Sequence, residues 1–249
     1  MKLKEAIKLL PLCDNFKTDF SIYAILTAGA TLIEFYTRND IKTDKSVYLF
    51  FLVSMIAIGL LTCGYYLVTL RNYMLNKPNF LPKWLEQHDM KQILIGGLKY
   101  FMAIICCIAV VLIWNALGMF LISVNREMQT QAMITLMITD IAFFLSMIVF
   151  LPAITIEFCT NLKFRSFFNF KQMLNIIQTS GWHYYRVVAV ILGLNVIVMI
   201  LMNFANDFLI LNLILSIVST YISLIAAILY GDVFRKVVAK HKENESEAN

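Results

Sequence analysis

Four stretches of this chain run for twenty residues or more without one charged side chain: Ser46 to Leu70, Tyr100 to Asn125, Val187 to Asn206 and Phe208 to Gly231. About 20 consecutive apolar residues are what a helix needs to cross the hydrocarbon core of a bilayer. Two weaker stretches join them: Ala132 to Ile156, apolar apart from Asp140, and Phe20 to Tyr36, with Glu34 near one end. Backbone inside lipid must satisfy its own hydrogen bonds, so spans of this length are helices, and no period-two alternation argues for a barrel. The sequence predicts an all-α, polytopic integral membrane protein with six transmembrane helices. A hydrophobic fraction of 60%, a charged fraction of 15% and a mean hydropathy of +0.74 agree. They exclude a water-soluble enzyme, a secreted disulfide scaffold and a disordered chain.

The basic residues set the direction, because cytoplasmic segments are enriched in Lys and Arg. Lys2, Lys4, Lys8 and Lys17 precede the first span. Arg71, Lys77, Lys83, Lys91 and Lys99 lie between the second and third, and Lys163, Arg165, Lys171 and Arg186 between the fourth and fifth. Arg235, Lys236, Lys240 and Lys242 follow the sixth. That places 17 of the 21 basic residues on one side, against Arg38, Lys42, Lys45 and Arg126 on the other. Both termini are therefore expected in the cytoplasm. A competing reading makes Met1 to Ala30 a signal peptide, with Ala28-Gly29-Ala30 as its cleavage site; its leader is long for that and carries Glu5, Asp14 and Asp19.

Three short stretches share one pattern of apolar, Lys, Glu or Gln, apolar, apolar: Leu3 to Ile7, Met90 to Leu94 and Phe170 to Leu174. Their starts lie 87 and 80 residues apart, and two spans follow each. The chain thus reads as one membrane domain built from three units, near 1–74, 78–160 and 165–240, each an amphipathic interfacial helix and two spans. A polar tail, expected to fray, would fill 241–249. An even number of spans per unit makes the repeats parallel. Leu3, Ala6, Ile7 and Leu10 fall at i, i+3, i+4 and i+7, as do Phe170, Met173, Leu174 and Ile177, giving one apolar stripe per helix. Lys4, Lys91 and Lys171 then either meet anionic inner-leaflet lipids or a cytoplasmic partner, or simply snorkel. The outer turns, Thr37 to Lys45, Arg126 to Gln131 and Asn203 to Asp207, are tight. The inner connections, Asn72 to Lys99 and Thr160 to Arg186, are long, so a recognition surface outside the membrane is expected on the cytoplasmic side.

Gly64-Tyr65, Arg71-Asn72, Leu81-Pro82-Lys83-Trp84 and Gly97-Leu98-Lys99-Tyr100 resemble the prokaryotic multi-pass membrane family catalogued as domain of unknown function 4013. The resemblance extends over nearly the whole chain and implies a bacterial or archaeal membrane location without implying an activity. Read physically, Pro78 and Pro82 interrupt helix and force an extended passage, Trp84 suits the head-group layer, and Gly96-Gly97 permits a bend or a close approach. Arg71, Trp84, Lys91, Lys99 and Lys171 are the candidate cytoplasmic interface, with anchoring as the alternative role for Arg71, Trp84 and Lys99.

Asp140 is the one acidic residue placed deep in a span, roughly 12 Å in at 1.5 Å per residue, and an intramembrane charge is a functional candidate. It is either a proton- or cation-linked carboxylate or a helix-packing group bonded to Asn115, Asn195 or Asn212, which with it form the candidate intramembrane polar site. Glu34 and Glu157 lie near span ends within reach of water. No strict Gly-x-x-x-Gly appears, so packing is expected to rest on mixed large residues. The five cysteines show no Cys-x-x-Cys and read as free thiols, and His88, His183 and His241 as single interfacial or solvated side chains. Nucleophile-elbow, Walker, dinucleotide and zinc-protease motifs are absent. A non-enzyme without cofactor or metal is expected, and the net charge of +5 is read as cytoplasmic flanks facing anionic lipid rather than as a nucleic-acid surface. The first functional reading is a membrane-embedded partner or scaffold in a larger assembly. The alternatives are a small transporter or permease subunit, which requires polar residues converging at mid-depth, and a membrane-shaping protein.

Overall fold

A computed structural model describes residues 1–39, 45–124, 129–205 and 207–247. Every regular element among them is helical: α1 (Leu3–Leu9), α2 (Phe16–Asn39), α3 (Lys45–Met74), α4 (Gln87–Val124), α5 (Gln129–Asn161), α6 (Phe170–Ser180), α7 (Trp182–Phe204) and α8 (Leu209–Glu247). Six of them, α2 to α5, α7 and α8, are long and apolar enough to cross a membrane. The outer turns around 40–44, 125–128 and 206, with Lys42 and Arg126, lie outside the described residues, as do Ala248 and Asn249.

The two short helices at 3–9 and 170–180 form as separate elements. α1 buries Ala6, and α6 buries Met173, Ile176 and Ile177 while Phe170 and Leu174 stay exposed. The stretch Met90 to Leu94 differs: it belongs to the unbroken α4. No proline stands between Gln87 and the span, and Gly96-Gly97 is too weak a breaker to end a helix held on both sides by apolar contacts. The tail also differs from expectation. The run Lys240 to Glu247 contains neither Gly nor Pro, and α8 continues through it.

α8 is the centre of the bundle, packing against α1, α2, α3, α5, α6 and α7; α4 packs on α3 and α5. The fully buried side chains Tyr65, Leu67, Leu70, Ile156, Phe158, Tyr184, Leu224 and Ile228 gather in the half of the bundle that carries α1, α6 and the 75–86 loop. The far halves of α4 and α5, around Leu112 to Phe120 and Met133 to Leu145, expose their apolar side chains. Lipid tails are as apolar as leucine, so helices associate there through close packing and hydrogen bonds rather than through water exclusion.

Two contacts show what that requires. At the α3–α4 crossing a Cβ on Gly64 would overlap the Ile93 carbonyl oxygen, and one on Gly97 would overlap that of Leu60. The expectation of packing on large residues alone is corrected here: one glycine from each helix brings the backbones together, and each carbonyl points at the facing Cα–H, a weak but favourable contact. At the α5–α7 crossing Pro152 interrupts the ladder of α5. The Tyr184 hydroxyl enters the gap, donating to the Val149 carbonyl and accepting from Ala153 N at 3.1 Å, so both backbone groups are satisfied.

Gly64→Ala and Gly97→Ala should each lower stability by about 1–3 kcal/mol through overpacking. Gly59→Ala, with nothing within 4 Å of its added methyl, should not; thermal unfolding in one detergent compares the three. Tyr184→Phe should cost about 1–3 kcal/mol by leaving two buried backbone groups unpaired, read in the same assay.

Candidate functional site

Along α8, Ser216, Ser219, Thr220 and Ser223 fall at i, i+3, i+4 and i+7, one polar stripe on an otherwise apolar helix. The stripe meets α2. Thr27 Oγ1 lies 2.6 Å from Thr220 Oγ1, and the Tyr23 hydroxyl 3.1 Å from Ser223 Oγ. α3 and α7 complete the surround, and the four helices enclose an open cavity of about 430 Å³. Thr27, Thr62, Asn195 and Ser219 line its walls, and Tyr66 and Tyr230 stand at the end nearer the buried core. From Ser216 to Tyr230 the helix rises ~21 Å, most of a bilayer core.

The polar part of the lining is hydroxyl, one amide and the Cys63 thiol, beside the apolar Ile191, Met202 and Ala226, and it contains no charged side chain. Several of these groups bond back to their own helices: Thr62 to the Ile58 carbonyl at 2.9 Å, Asn195 Nδ2 to that of Ile191 at 2.9 Å and Thr220 to that of Ser216 at 2.9 Å. Hydroxyls held this way keep their lone pairs for an incoming donor. Such a surface can replace the few hydrogen bonds a small neutral polar molecule leaves in water, but not the hydration of an ion.

The four residues expected to form one polar site do not come together. Asp140 Oδ1 accepts from Asn115 Nδ2 at 3.2 Å, between α4 and α5 and away from the cavity. Asn195 lines the cavity. Asn212 Nδ2 donates 2.8 Å to the Ala205 carbonyl, tying the end of α7 to the start of α8. The residues that sequence reading passed over are those of the α8 stripe with Tyr23, Thr27 and Thr62. Their helical spacing was the available signal; each alone is an unremarkable hydroxyl in an apolar run. Asp19 was also passed over: it is buried beside Trp84, whose Nε1 donates to its backbone carbonyl at 3.1 Å, and its Oδ2 has no hydrogen-bond partner among the described residues.

The candidate cytoplasmic interface also divides. Trp84 is not an outward-facing anchor: it is 5% exposed and stacks on Tyr65 with centroids 4.7 Å apart. The extended passage imposed by Pro78 and Pro82 folds back under α3, and the indole fills the space beneath Tyr65. Lys99 Nζ donates 3.2 Å to the Leu162 carbonyl just past the end of α5, and Arg71 Nη1 reaches Gln92 Oε1 at 3.4 Å. These residues anchor the ends of helices. Lys91 and Lys171 are exposed, on α4 and α6. All five cysteines are free; burial pushes the Cys13 thiol up to about 11, against the pull of the Phe80 and Leu81 amides.

A family model described as protein of unknown function (DUF4013) matches residues 47–206, from the start of α3 to the end of α7. α1, α2 and α8 lie outside the matched stretch, which is shorter than the near-complete coverage the motifs suggested. No curated protein and no solved structure matches the chain. The motif residues within the match converge on one packing knot: Gly64 and Gly97 at the α3–α4 crossing, Tyr65 against Trp84, and Lys99 on the end of α5.

Asp140→Asn retains a partner for Asn115 and should leave stability in detergent within about 0.5 kcal/mol. Asn115→Leu should cost about 1–2 kcal/mol by leaving the carboxyl group unpartnered. Thermal unfolding of both variants checks this, and a larger loss from Asp140→Asn would show that the carboxylate matters for itself.

Proposed function

The chain belongs to the DUF4013 family of proteins of unknown function, and from its own geometry we propose that it is a non-enzymatic, multi-pass protein of the cytoplasmic membrane that admits a small, uncharged polar molecule to the cavity between α2, α3, α7 and α8, as a permease-type subunit would. One observation carries this reading. Polar groups from four different helices line one cavity between the spans, in a chain whose outward-facing side chains are mostly apolar. Serine and threonine are common at contacts between transmembrane helices, but here they gather around an open space rather than a closed seam. The wholly uncharged lining sets the class of ligand, since an ion would need a counter-charge. Placing 17 of 21 basic residues at the α1 and α6 end supports cytoplasmic termini. On that orientation the cavity is closed toward the cytoplasm by the buried core and by the Tyr65–Trp84 stack.

A second observation favours the scaffold reading. The far halves of α4 and α5 touch little besides each other and carry the half-buried Asp140–Asn115 pair at mid-span. A polar pair at that depth is costly to leave in lipid, and a partner helix laid along this arm would cover it.

Proteoliposomes test the first reading with glycerol and urea as probes. Wild-type vesicles should equilibrate at least one of these faster than empty vesicles, and Ser219→Phe, which fills the cavity, should remove about ten-fold or more of the added rate. Permeability equal to that of empty vesicles for both probes overturns it. Purification in mild detergent tests the second: a stoichiometric membrane partner lost on Leu117→Arg supports it, and a partner-free monomer counts against it.

A further inference from the structure

Where α1, α7 and α8 meet, on the basic end of the bundle, lies a separate cavity of about 530 Å³. Its mouth is polar. The Met1 amino group sits 2.6 Å and Lys236 Nζ 3.3 Å from Asp232 Oδ2, and His183 Nε2 lies between that carboxylate, at 3.3 Å, and Lys236, at 3.0 Å. Glu5 Oε2 accepts from the Lys2 backbone N–H at 2.9 Å. Four cationic groups, the Met1 amino group, Lys2, Arg186 and Lys236, thus face two carboxylates, Glu5 and Asp232, and Asp232 is already shared between two of the cations. The positive charge is in excess even with the Met1 amino group set aside. Arg186 is held over the Trp182 ring, 5.8 Å from its centroid, and Trp182 is 69% exposed. Stacking on a ring face leaves the planar N–H fork of the guanidinium to meet an oxyanion.

The deep wall is different in kind. Val187 and Val190 lie one and two turns further along α7 than His183, and Leu229 lies nearly two turns further into the bundle than Lys236. The cavity therefore runs from excess cation at the aqueous end to aliphatic side chains at the lipid end. Inorganic phosphate would satisfy only the first part. A phosphate joined to acyl chains satisfies both.

We infer that this cavity is a binding site for the head group and upper acyl chain of an anionic phospholipid, held by Lys2, Arg186 and Lys236 and seated on Val187, Val190 and Leu229. Basic pockets between transmembrane helices suit such head groups, with each basic residue contributing about five-fold in affinity. The site is independent of the hydroxyl-lined cavity between α2, α3, α7 and α8.

Native mass spectrometry of the detergent-purified full chain, offered equal phosphatidylglycerol and phosphatidylcholine, reads the preference directly. The wild type should retain phosphatidylglycerol about ten-fold or more over phosphatidylcholine. Lys2→Gln and Arg186→Gln should each cut that preference about five-fold, whereas Lys17→Gln and Lys77→Gln, which remove the same charge from exposed positions outside this cavity, should leave it intact. Val190→Trp should weaken lipid retention with every charge in place. No preference in the wild type, an equal loss from the exposed-face variants, or full displacement of the lipid by 10 mM inorganic phosphate overturns the assignment.

Discussion

A peptide N–H surrounded by hydrocarbon has no water to turn to, and each later feature of this structure is a way of meeting that condition. It makes the six long segments helical, because only a helix satisfies its backbone within a single segment. It also governs the exceptions. Pro152 breaks the ladder of α5 at a depth where a loose carbonyl would be expensive, and the Tyr184 hydroxyl from α7 takes up both freed groups. The same side chain that repairs one helix fastens it to another. Asn212 does likewise at the end of α7, where the last carbonyls have no intrahelical donor.

Since water exclusion gives no net drive between helices in lipid, the bundle coheres where backbones approach most closely. That place is the end bearing α1, α6 and the 75–86 loop. Gly64 and Gly97 remove the side chains that would hold α3 and α4 apart, and Tyr65 and Trp84 fill the space below. Away from this knot the helices separate, and the gap between α2, α3, α7 and α8 is lined with hydroxyls rather than left dry. The packed end and the polar gap are two results of one distribution of small and large residues along the same helices.

Four of the six spans were legible from charge-free length alone, because the bilayer imposes a threshold that a single sequence can be measured against, and the other two from apolar runs that tolerate one acid each, Asp140 and Glu34. The Asp140–Asn115 pair was legible in kind, as a packing contact, since an acid at that depth needs a partner. What escaped the sequence were facts that need two segments at once. Gly97 was read as permitting close approach, but only the facing Gly64 shows to what. Residue preference alone suggests an outward-facing Trp84, and the fold of its loop buries it against Tyr65. The stripe Ser216, Ser219, Thr220, Ser223 was present in the spacing, yet a helix that is apolar on average hides a polar face until its neighbours show which way it points. Met90 to Leu94 shares a local pattern with α1 and α6, but nothing local decides whether such a segment ends before the span or runs into it.

The seam between α2 and α8 has a bearing on how the chain is made. Thr27 meets Thr220 across 193 residues of sequence, an interval of roughly 10–40 s at ordinary rates of synthesis. Through that interval α2 is already in the bilayer and its partner is not. A charged side chain in that position would be stranded, whereas Thr27 Oγ1 can bond to the carbonyls of Tyr23 and Ala24 in its own helix, as it still does in the finished bundle. Threonine and serine are polar groups that can wait, and a cavity built from them is one the insertion machinery can assemble a helix at a time.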